Sequence, residues 1–285
     1  MVKGAKMEEK LLTEENTSNY ANLSQIKLHY NLAGDGEAVI MLHGGGPGAS
    51  GWSNFRTNIG PFSSKYKTIL LDLPQFGKSD PVIFDGDPTE YNARVIKELL
   101  DTLGIQKAHF IGNSYGGATS LRFAIDYPER ISKLIVMGPA GYGPSYFVPR
   151  PLEGIKALND WWVNQTREQM AKIVDLFVFR EELKTQELID MRQKAALSHP
   201  EHIEARAKSV NRYIPDLTPE LSEVKAKTLI IWGRDDRFSP LDFSLNLLWR
   251  IPDAQVHIFP ECGHWVQYEK SEEFNRLILD FLGND

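Results

Sequence analysis

The sequence predicts an α/β protein in which a mostly parallel β-sheet is covered by helices on both faces. Two observations support this fold class. Short, continuously apolar segments alternate with helical patterns, which is typical of a parallel sheet buried on both faces. The alternation stops between about residues 145 and 215, where the pattern is helical throughout. We therefore expect a sheet core with a helical lid inserted between two of its strands.

Eight segments have the length and composition of strands, and three have the periodicity of helices. The predicted strands are residues 18–23 and 26–32 and the segments AVIML, KTILLDLP, AHFIGN, KLIVMGP, TLIIWG and AQVHIF. The predicted helices of the core cover residues 88–103, 116–130 and 271–282. The charged residues before about position 16 are expected to form an irregular lead-in.

The domain division follows from the interrupted alternation. Residues 1–144 and 216–285 are predicted to form the sheet core, and residues 145–215 the helical lid. The insertion has a proline-rich beginning and four aromatic residues that suit a lid: Trp161, Trp162, Phe177 and Phe179. The alternative is a set of additional packing helices with no lid function.

Charge and cysteine content restrict the partners. The chain of 285 residues has a net charge of -6 and no stripe of Lys or Arg, which argues against nucleic-acid binding. Its one cysteine, Cys262, cannot form a disulfide within the chain, so a reducing cytoplasm is the expected location. The N-terminus lacks the apolar stretch of a signal peptide, and no apolar run approaches the ~20 residues that cross a bilayer. We expect no membrane partner.

The segment GNSYG at 112–116 matches the pattern G-x-S-x-G between a predicted strand and a predicted helix. Such a turn is so tight that the flanking positions must lack side chains. It would hold the Ser114 hydroxyl above the sheet as a nucleophile, at the N-terminus of a helix that stabilises negative charge. An ordinary strand-to-helix turn is the alternative.

A serine hydroxyl needs a base, and the base needs a carboxylate to orient it. Among seven histidines, His264 follows the last predicted strand and precedes the terminal helix. Asp236 lies three residues after a strand-ending glycine and four before a proline, a spacing found in many hydrolases with a serine on such a turn. Its neighbour Asp235 is the alternative carboxylate. The chain order Ser114, Asp236, His264 is that of α/β-hydrolases.

The glycine-rich segment HGGGPG at 43–48 supplies backbone N–H groups that can stabilise an oxyanion. We expect the N–H groups of Gly45 and Tyr115 to form this oxyanion hole, with His43 supporting the loop. A phosphate-binding loop is the alternative, but the segment lacks the Gly-Lys-Ser/Thr ending of such loops.

Five segments together resemble one family, the meta-cleavage product hydrolases, over nearly the whole chain: HGGGPGASGWSNF, GNSYGGATS, MGPAGYGPS, WGRDDRF and CGHWVQYE. The resemblance implies C–C bond hydrolysis of a 2-hydroxy-6-oxohexa-2,4-dienoate, a ring-fission product of aromatic degradation. It implies a keto intermediate before nucleophilic attack, no cofactor and no metal. It also implies a homo-oligomer, a dimer or larger.

The resemblance assigns four substrate-binding positions. Arg192 matches the family's carboxylate-binding arginine, and a planar guanidinium suits that task. Trp265 directly follows the expected base and carries an indole N–H. Asn113 and Asn54 match asparagines at the polar end of such sites. Without the resemblance, Arg192 would be interpreted as a solvated residue of a lid helix, and Asn113 as a neutral filler of the turn.

Phe177 and Phe238, with the other lid aromatics, would suit an apolar carbon-6 group such as phenyl; at helical spacing they are equally typical of the lid's own core. The sequence departs from the family pattern in having Tyr115 after the serine, where methionine is frequent. It also lacks a tryptophan often found before the seventh strand. Both departures concern the carbon-6 group more than the reaction.

Other functions on the same fold remain alternatives. An ester hydrolase would use the same three side chains, and a proline iminopeptidase would need lid carboxylates to hold a substrate ammonium. A haloalkane dehalogenase is disfavoured because position 114 is serine rather than aspartate. A receptor without catalysis, which keeps the fold and the three side chains, is the alternative from a different class.

Overall fold

One eight-stranded sheet forms the centre of the molecule. The computed structural model describes residues 11–141, 143, 145–147, 152–210 and 214–284. The strands, in the spatial order β1-β2-β4-β3-β5-β6-β7-β8, are β1 (Ser18–Asn22), β2 (Lys27–Ala33), β3 (Ala38–Leu42), β4 (Lys67–Leu71), β5 (Ala108–Asn113), β6 (Ile131–Met137), β7 (Lys227–Gly233) and β8 (Ala254–Phe259).

The sheet is antiparallel only at its beginning. β1 pairs with β2 and β2 with β4 in antiparallel register, whereas every pairing from β4 through β3 to β8 is parallel. The carboxyl ends of these six parallel strands therefore meet at one edge of the sheet. The predicted α/β class and all eight predicted strands are confirmed.

Helices cover both faces because the buried strands alternate their side chains between two apolar layers. On β3, Ile40 and Leu42 face one layer, and Val39 and Met41 the other. The described helices of the core are α1 (Glu14–Thr17), α2 (Gly51–Phe55), α3 (Ile59–Ser63), α4 (Pro88–Thr102), α5 (Tyr115–Asp126), α10 (Asp242–Arg250), α11 (Val266–Glu269) and α12 (Ser271–Gly283).

Between β6 and β7, the described residues form four further α-helices. They are α6 (Glu153–Val163), α7 (Arg167–Phe177), α8 (Gln186–Leu197) and α9 (Pro200–Lys208). Their apolar faces form a separate buried cluster that also includes Phe238 and Trp265 of the core. Residues 145–215 are called the lid below, after the prediction; part of its proline-rich beginning (148–151) and residues 211–213 lie outside the described residues.

The structure differs from the sequence expectations at several short helices. Residues 1–10 of the expected irregular lead-in lie outside the described part, but α1 forms within it because Thr13 and Asn16 cap each other's backbone N–H groups. α2, α3, α10 and α11 were not predicted, since their lengths of four to nine residues give little periodicity to detect. Along the described chain, the helices are too short or too polar to cross a membrane.

Candidate active site

Ser114 occupies a strained turn between β5 and α5. Its φ of 52° and ψ of -110° define a backbone conformation that residues with a side chain rarely adopt. Steric contacts explain the two flanking glycines. A Cβ at position 112 would lie 2.3 Å from the Gly116 carbonyl oxygen, and a Cβ at position 116 would lie 2.2 Å from that of Leu42. The turn can therefore form only with glycine at both positions.

His264 and Asp236 meet at the ends of β8 and β7. The His264 Nδ1 lies 2.7 Å from Asp236 Oδ2, and both side chains are almost fully buried. The other carboxylate oxygen of Asp236 accepts the N–H groups of Phe238, at 2.7 Å, and Ser239, at 3.0 Å. Because a carboxylate can only accept in this contact, the proton lies on Nδ1 and Nε2 is left as the basic nitrogen, which is what the predicted role of His264 requires. Asp235 instead pairs with Arg234 at 3.2 Å.

Ser114 and His264 line the same cavity, which has a volume of about 150 Å³. In the described chain, no hydrogen bond joins the serine hydroxyl to the imidazole. Hydrogen bonds between a nucleophile and its base often shorten only when substrate is bound. The structure thus brings the predicted acid and base, Asp236 and His264, into direct contact, and Ser114 lines the same cavity as His264.

The glycine loop after β3 lies against the nucleophile turn. A Cβ on Gly44 would be 3.4 Å from the Cβ of Ser114, and one on Gly45 would be 3.2 Å from the Cβ of Tyr115. His43 supports the loop, as expected: its Nδ1 donates to the Gly44 carbonyl at 2.8 Å, and its Nε2 accepts the N–H of Leu73 at 3.0 Å. Burial lowers the pKa of His43, which keeps the ring neutral for both bonds.

The N–H of Tyr115 is available for an oxyanion because it belongs to the first residue of α5. The first N–H groups of a helix have no acceptor within the helix. Gly45 and Tyr115 both line the cavity. Their side-by-side placement is the arrangement that an oxyanion hole requires.

Arg192 enters the same cavity from α8 of the lid. Only 2% of the residue is exposed, and its Nη2 donates to the Pro47 carbonyl at 2.7 Å. The Nε and Nη1 atoms are buried and have no hydrogen-bond partner among the described residues. Burial, together with the charge of Arg56, lowers the pKa of Arg192 to about 9. A buried cation with two unused donors is suited to bind an anion in the cavity.

Aromatic rings pack against the guanidinium of Arg192 and the imidazole of His264. The guanidinium carbon of Arg192 lies 4.5 Å from the ring centre of Trp265 and 5.5 Å from that of Phe177. Phe177 stacks on Phe238 with ring centres 4.2 Å apart, and Phe238 stacks on His264 at 5.0 Å. The two phenylalanines thus form one apolar wall of the cavity next to the base.

The remaining lid aromatics have different surroundings. Trp161 is fully buried in the lid's own core, where its indole N–H donates to Gln193 at 3.0 Å. Trp162 lines an adjoining cavity rather than the one that contains Ser114. Phe179 is 43% exposed. Only Phe177, of the four lid aromatics named from the sequence, lines the cavity with Ser114.

Two asparagines contribute polar atoms to the cavity. Asn113 donates to the carbonyls of Met137 and His264, each at 3.3 Å, and Asn54 donates to the Ser50 carbonyl at 3.1 Å. The side-chain oxygen of each asparagine is buried without a partner among the described residues. These oxygens can accept hydrogen bonds from a ligand or from water.

Several residues at the site were not singled out from the sequence. Arg206 and Ser209 of the lid line the cavity, and so do Phe76, Phe84 and Ile214. Glu269 lies behind the base, in contact with its loop. No sequence pattern identifies these side chains, because each reaches the site through a fold contact rather than a motif.

One group within the described chain has the composition of a metal site. His199, Glu201 and His202 place three ligand atoms within 4.8 Å of one another. His199 and His202 line the adjoining cavity, and the Nε2 of His202 already donates to the Ser79 carbonyl at 2.9 Å. It contributes nothing to the cavity that contains Ser114.

The fold, with a serine on a strained turn at the centre of a parallel sheet, defines the class as α/β-hydrolase. The model of the alpha/beta hydrolase fold matches residues 37–271. The chain is 52% identical to a 2-hydroxy-6-oxo-6-phenylhexa-2,4-dienoate hydrolase of Comamonas testosteroni, over 95% of this chain and 98% of that protein. It is 50% identical to a 2-hydroxy-6-oxononadienedioate/2-hydroxy-6-oxononatrienedioate hydrolase of the same species, over 94% and 95%.

Solved structures agree with these relatives. A meta-cleavage product hydrolase from Pseudomonas fluorescens superimposes with a TM-score of 0.82 at 31% identity, covering 93% of this chain and 97% of that one. A 2-hydroxy-6-oxo-6-phenylhexa-2,4-dienoate hydrolase from Rhodococcus gives 0.82 at 26% identity, covering 94% and 100%. The chain belongs to the meta-cleavage product hydrolases, within the α/β-hydrolase family.

Proposed function

We propose that the protein hydrolyses the bond between carbons 5 and 6 of a 2-hydroxy-6-oxohexa-2,4-dienoate with a substituent at carbon 6. The observation that carries this proposal is the content of one cavity. It holds Ser114, His264 and the buried Arg192, whose two unused donors suit the substrate's carboxylate. Serine hydrolysis alone does not require a buried cation at that place.

The first stage is conversion of the dienol to its keto form. Arg192 holds the carboxylate, with Asn54 and Asn113 at the polar end of the cavity. The proton of the 2-hydroxyl leaves, and a proton is added at carbon 5, with His264 as the carrier. Carbon 2 becomes a ketone, which later accepts the electron pair released from the broken bond.

The second stage is cleavage. Ser114 loses its proton to His264, and its oxygen forms a bond to carbon 6. The N–H groups of Gly45 and Tyr115 stabilise the resulting oxyanion, and each such donor contributes about 3–4 kcal/mol in one measured protease. Collapse breaks the carbon 5–carbon 6 bond and leaves its electron pair on the dienolate, which takes up the proton held by His264. Water then hydrolyses the serine ester and releases the carboxylic acid.

The carbon-6 group is proposed to be apolar and phenyl-like. Phe177 and Phe238 supply a stacked aromatic wall, and Ile155 and Leu158 of the lid line the same cavity. Aromatic pairs stabilise each other by about 0.5–1.5 kcal/mol beyond their buried area. The relatives whose names specify a 6-phenyl substrate are consistent with this choice.

Two other serine hydrolases fit the site less well. A proline iminopeptidase would need a carboxylate to hold the substrate ammonium, but the described residues that line the cavity include two arginines and no acidic side chain. An ester hydrolase would use the same serine, but it would not need the buried Arg192. A receptor without catalysis would keep the cavity and show binding without turnover.

The discriminating experiment compares Arg192→Met with wild type on two substrates. With a 6-phenyl dienoate, kcat/KM should fall by about 30-fold or more, because an anion left without its buried partner costs at least about 2 kcal/mol. With a neutral aryl ester it should fall much less. Arg56→Met, which removes a nearby half-exposed cation outside this cavity, serves as the control. Equal losses on both substrates would contradict the carboxylate role.

Self-association and location belong to the same proposal. α10 and the edge strand β8 expose a group of large apolar side chains, namely Leu245, Leu248, Trp249 and Ile258. Exposed apolar patches and unpaired strand edges are typical of contact surfaces. We propose a homo-oligomer, a dimer or larger, formed through this face.

The buried free thiol of Cys262 is consistent with a cytoplasmic location.

A further inference from the structure

Glu269 is a buried carboxylate that the mechanism above does not use. It ends α11, five residues after His264, and only 3% of it is exposed. Buried glutamates are rare in proteins unless they are paired. Burial raises the pKa of Glu269, and the backbone N–H groups around it act in the opposite direction.

The two oxygens of Glu269 bind two different parts of the chain. Oε1 accepts the N–H of Gly263 at 2.8 Å, in the loop that carries the base. Oε2 accepts the N–H groups of Phe179, at 2.8 Å, and Arg180, at 3.2 Å, in the lid segment that follows α7. One side chain therefore connects the loop of His264 to the lid.

A backbone contact at the same place strengthens this connection. The His264 N–H donates to the Phe177 carbonyl at 2.9 Å. Gly263 has no room for a side chain, because a Cβ there would lie 2.6 Å from the Phe177 carbonyl oxygen and 3.0 Å from Glu269 Oε1. The base loop and the lid segment thus touch through backbone atoms, and Glu269 closes the junction from behind.

The lid segment held by this junction forms part of the substrate cavity. The ring of Phe177 stacks on Trp265, with ring centres 4.7 Å apart, and lies against the guanidinium of Arg192. A shift of residues 177–180 relative to His264 would therefore move the aromatic wall and the base apart. A carboxylate with an acceptor oxygen for each side is the group that prevents such a shift.

We propose that Glu269 is a positioning residue that joins the lid to the base loop, so that the substrate wall and His264 keep a single relative geometry. The expected effect of Glu269 on turnover rests on the proposed function. The structural junction does not depend on that function and can be tested by itself.

Two substitutions of Glu269 distinguish the effect of losing the junction from the effect of losing the negative charge. Glu269→Gln keeps the length but replaces one acceptor oxygen with an amide that faces backbone N–H groups. Glu269→Asp keeps the charge but is one methylene shorter, so it cannot reach both sides. We expect each to lower kcat for the dienoate by about tenfold or more, because misplacement by about 1 Å can cost up to 10²-fold.

Cys262 reports on the junction directly. It is the only cysteine of the chain, it is fully buried, and it precedes Gly263. Its reaction with a thiol reagent under native conditions should be at least about tenfold faster in both variants, since loosening the loop exposes the thiol. A charge effect on the thiol alone would accelerate only Glu269→Gln, because burial first and then the charge of Glu269 raise the pKa of Cys262, and only this variant removes the charge.

Leu99→Ala provides the control for general destabilisation. Leu99 is fully buried on α4, in the apolar layer on the other face of the sheet from Cys262. This variant should lose stability but keep kcat and native thiol reactivity near wild type. The proposal would be overturned if Glu269→Asp had the kcat and the rate of thiol labelling of wild type. It would also be overturned if both quantities changed no more than they do in Leu99→Ala. Wild type that fails to cleave dienoates would refute the function and leave the labelling result valid.

Discussion

Single residues at this site have surroundings that oppose folding. Ser114 adopts a backbone conformation that side chains seldom adopt, and Arg192 is a buried cation without a carboxylate partner in the described chain. Strain and uncompensated charge each cost free energy of folding. Their presence together in one cavity is expected where the arrangement serves a reaction rather than stability.

The steric requirement at position 116 gives one prediction. Gly116→Ala should destabilise the fold by about 1–3 kcal/mol or more and abolish activity, because the added Cβ collides with the Leu42 carbonyl. Gly283→Ala is the matched control, since a Cβ there meets nothing within 4 Å and position 283 is the last residue of α12. It should be neutral or slightly stabilising. Denaturant unfolding checks both; a Gly116→Ala variant as stable as wild type would contradict the steric account.

The buried charge of Arg192 gives a second prediction. Arg192→Met should raise Tm while lowering activity toward the dienoate, because methionine fills similar space without the cost of burying a charge. Replacement of buried ionic groups by apolar ones stabilises other proteins by up to about 4 kcal/mol. A variant with lower Tm than wild type would show that Arg192 stabilises the lid, and that its burial is not a cost in stability kept for anion binding.

Elements place the site because parallel strands end at one edge of the sheet. Gly45 follows β3, Ser114 follows β5, Asp236 follows β7 and His264 follows β8. This is why residues separated by more than two hundred positions share one cavity. The strands and the order of the three side chains could be predicted from the sequence, since apolar runs and turn glycines are local signals.

Other parts of the site could not be predicted in this way. Spacing favoured Asp236 but left its neighbour Asp235 as an alternative with the same chemistry, and only the fold shows which one contacts His264. Trp161 and Phe177 have similar helical positions, but one fills the lid core and the other lines the cavity. Glu269 acts through backbone N–H groups of a distant segment, a contact with no sequence pattern. Such assignments depend on packing between elements.

The lid helix α7 gives a prediction about substrate choice. Phe177→Leu should lower kcat/KM for a 6-phenyl dienoate by about 3–10-fold more than for a 6-methyl dienoate, because it removes the stacked wall. Phe179→Leu, two residues away and 43% exposed, should leave this ratio unchanged. Competition between the two substrates measures the ratio. A ratio unchanged in Phe177→Leu would place the carbon-6 group elsewhere.

The whole molecule should lose stability on mild acidification. Burial lowers the pKa of His43, His109 and His202. Below about pH 6.5 the unfolded chain takes up protons that the folded chain resists, so the free energy of unfolding falls as pH falls. One such proton contributes a slope of up to about 1.4 kcal/mol per pH unit.

His43→Gln should therefore show a shallower fall between pH 7 and pH 5 than wild type. Urea unfolding at several pH values measures the slope. An unchanged slope would mean that His43 takes up its proton in the folded state, in conflict with the hydrogen bond that its Nε2 accepts from the N–H of Leu73.

The exposed face of α10 and β8 gives a prediction about assembly. Trp249→Lys should shift the mass measured by light scattering toward the monomer, because it places a charge in the proposed contact. Val163→Lys, at a similarly exposed lid position, should leave the mass unchanged. The same mass for both variants and wild type would remove this face from consideration.

The central claim is that Ser114, activated by His264 and Asp236, attacks the substrate in the shared cavity. The most direct test follows the absorbance of a 6-phenyl dienoate in a single turnover with wild type and Ser114→Ala. We expect Ser114→Ala to bind the coloured substrate nearly as well as wild type and to cleave it at least about 10³-fold more slowly. Cleavage by Ser114→Ala within tenfold of the wild-type rate would contradict it.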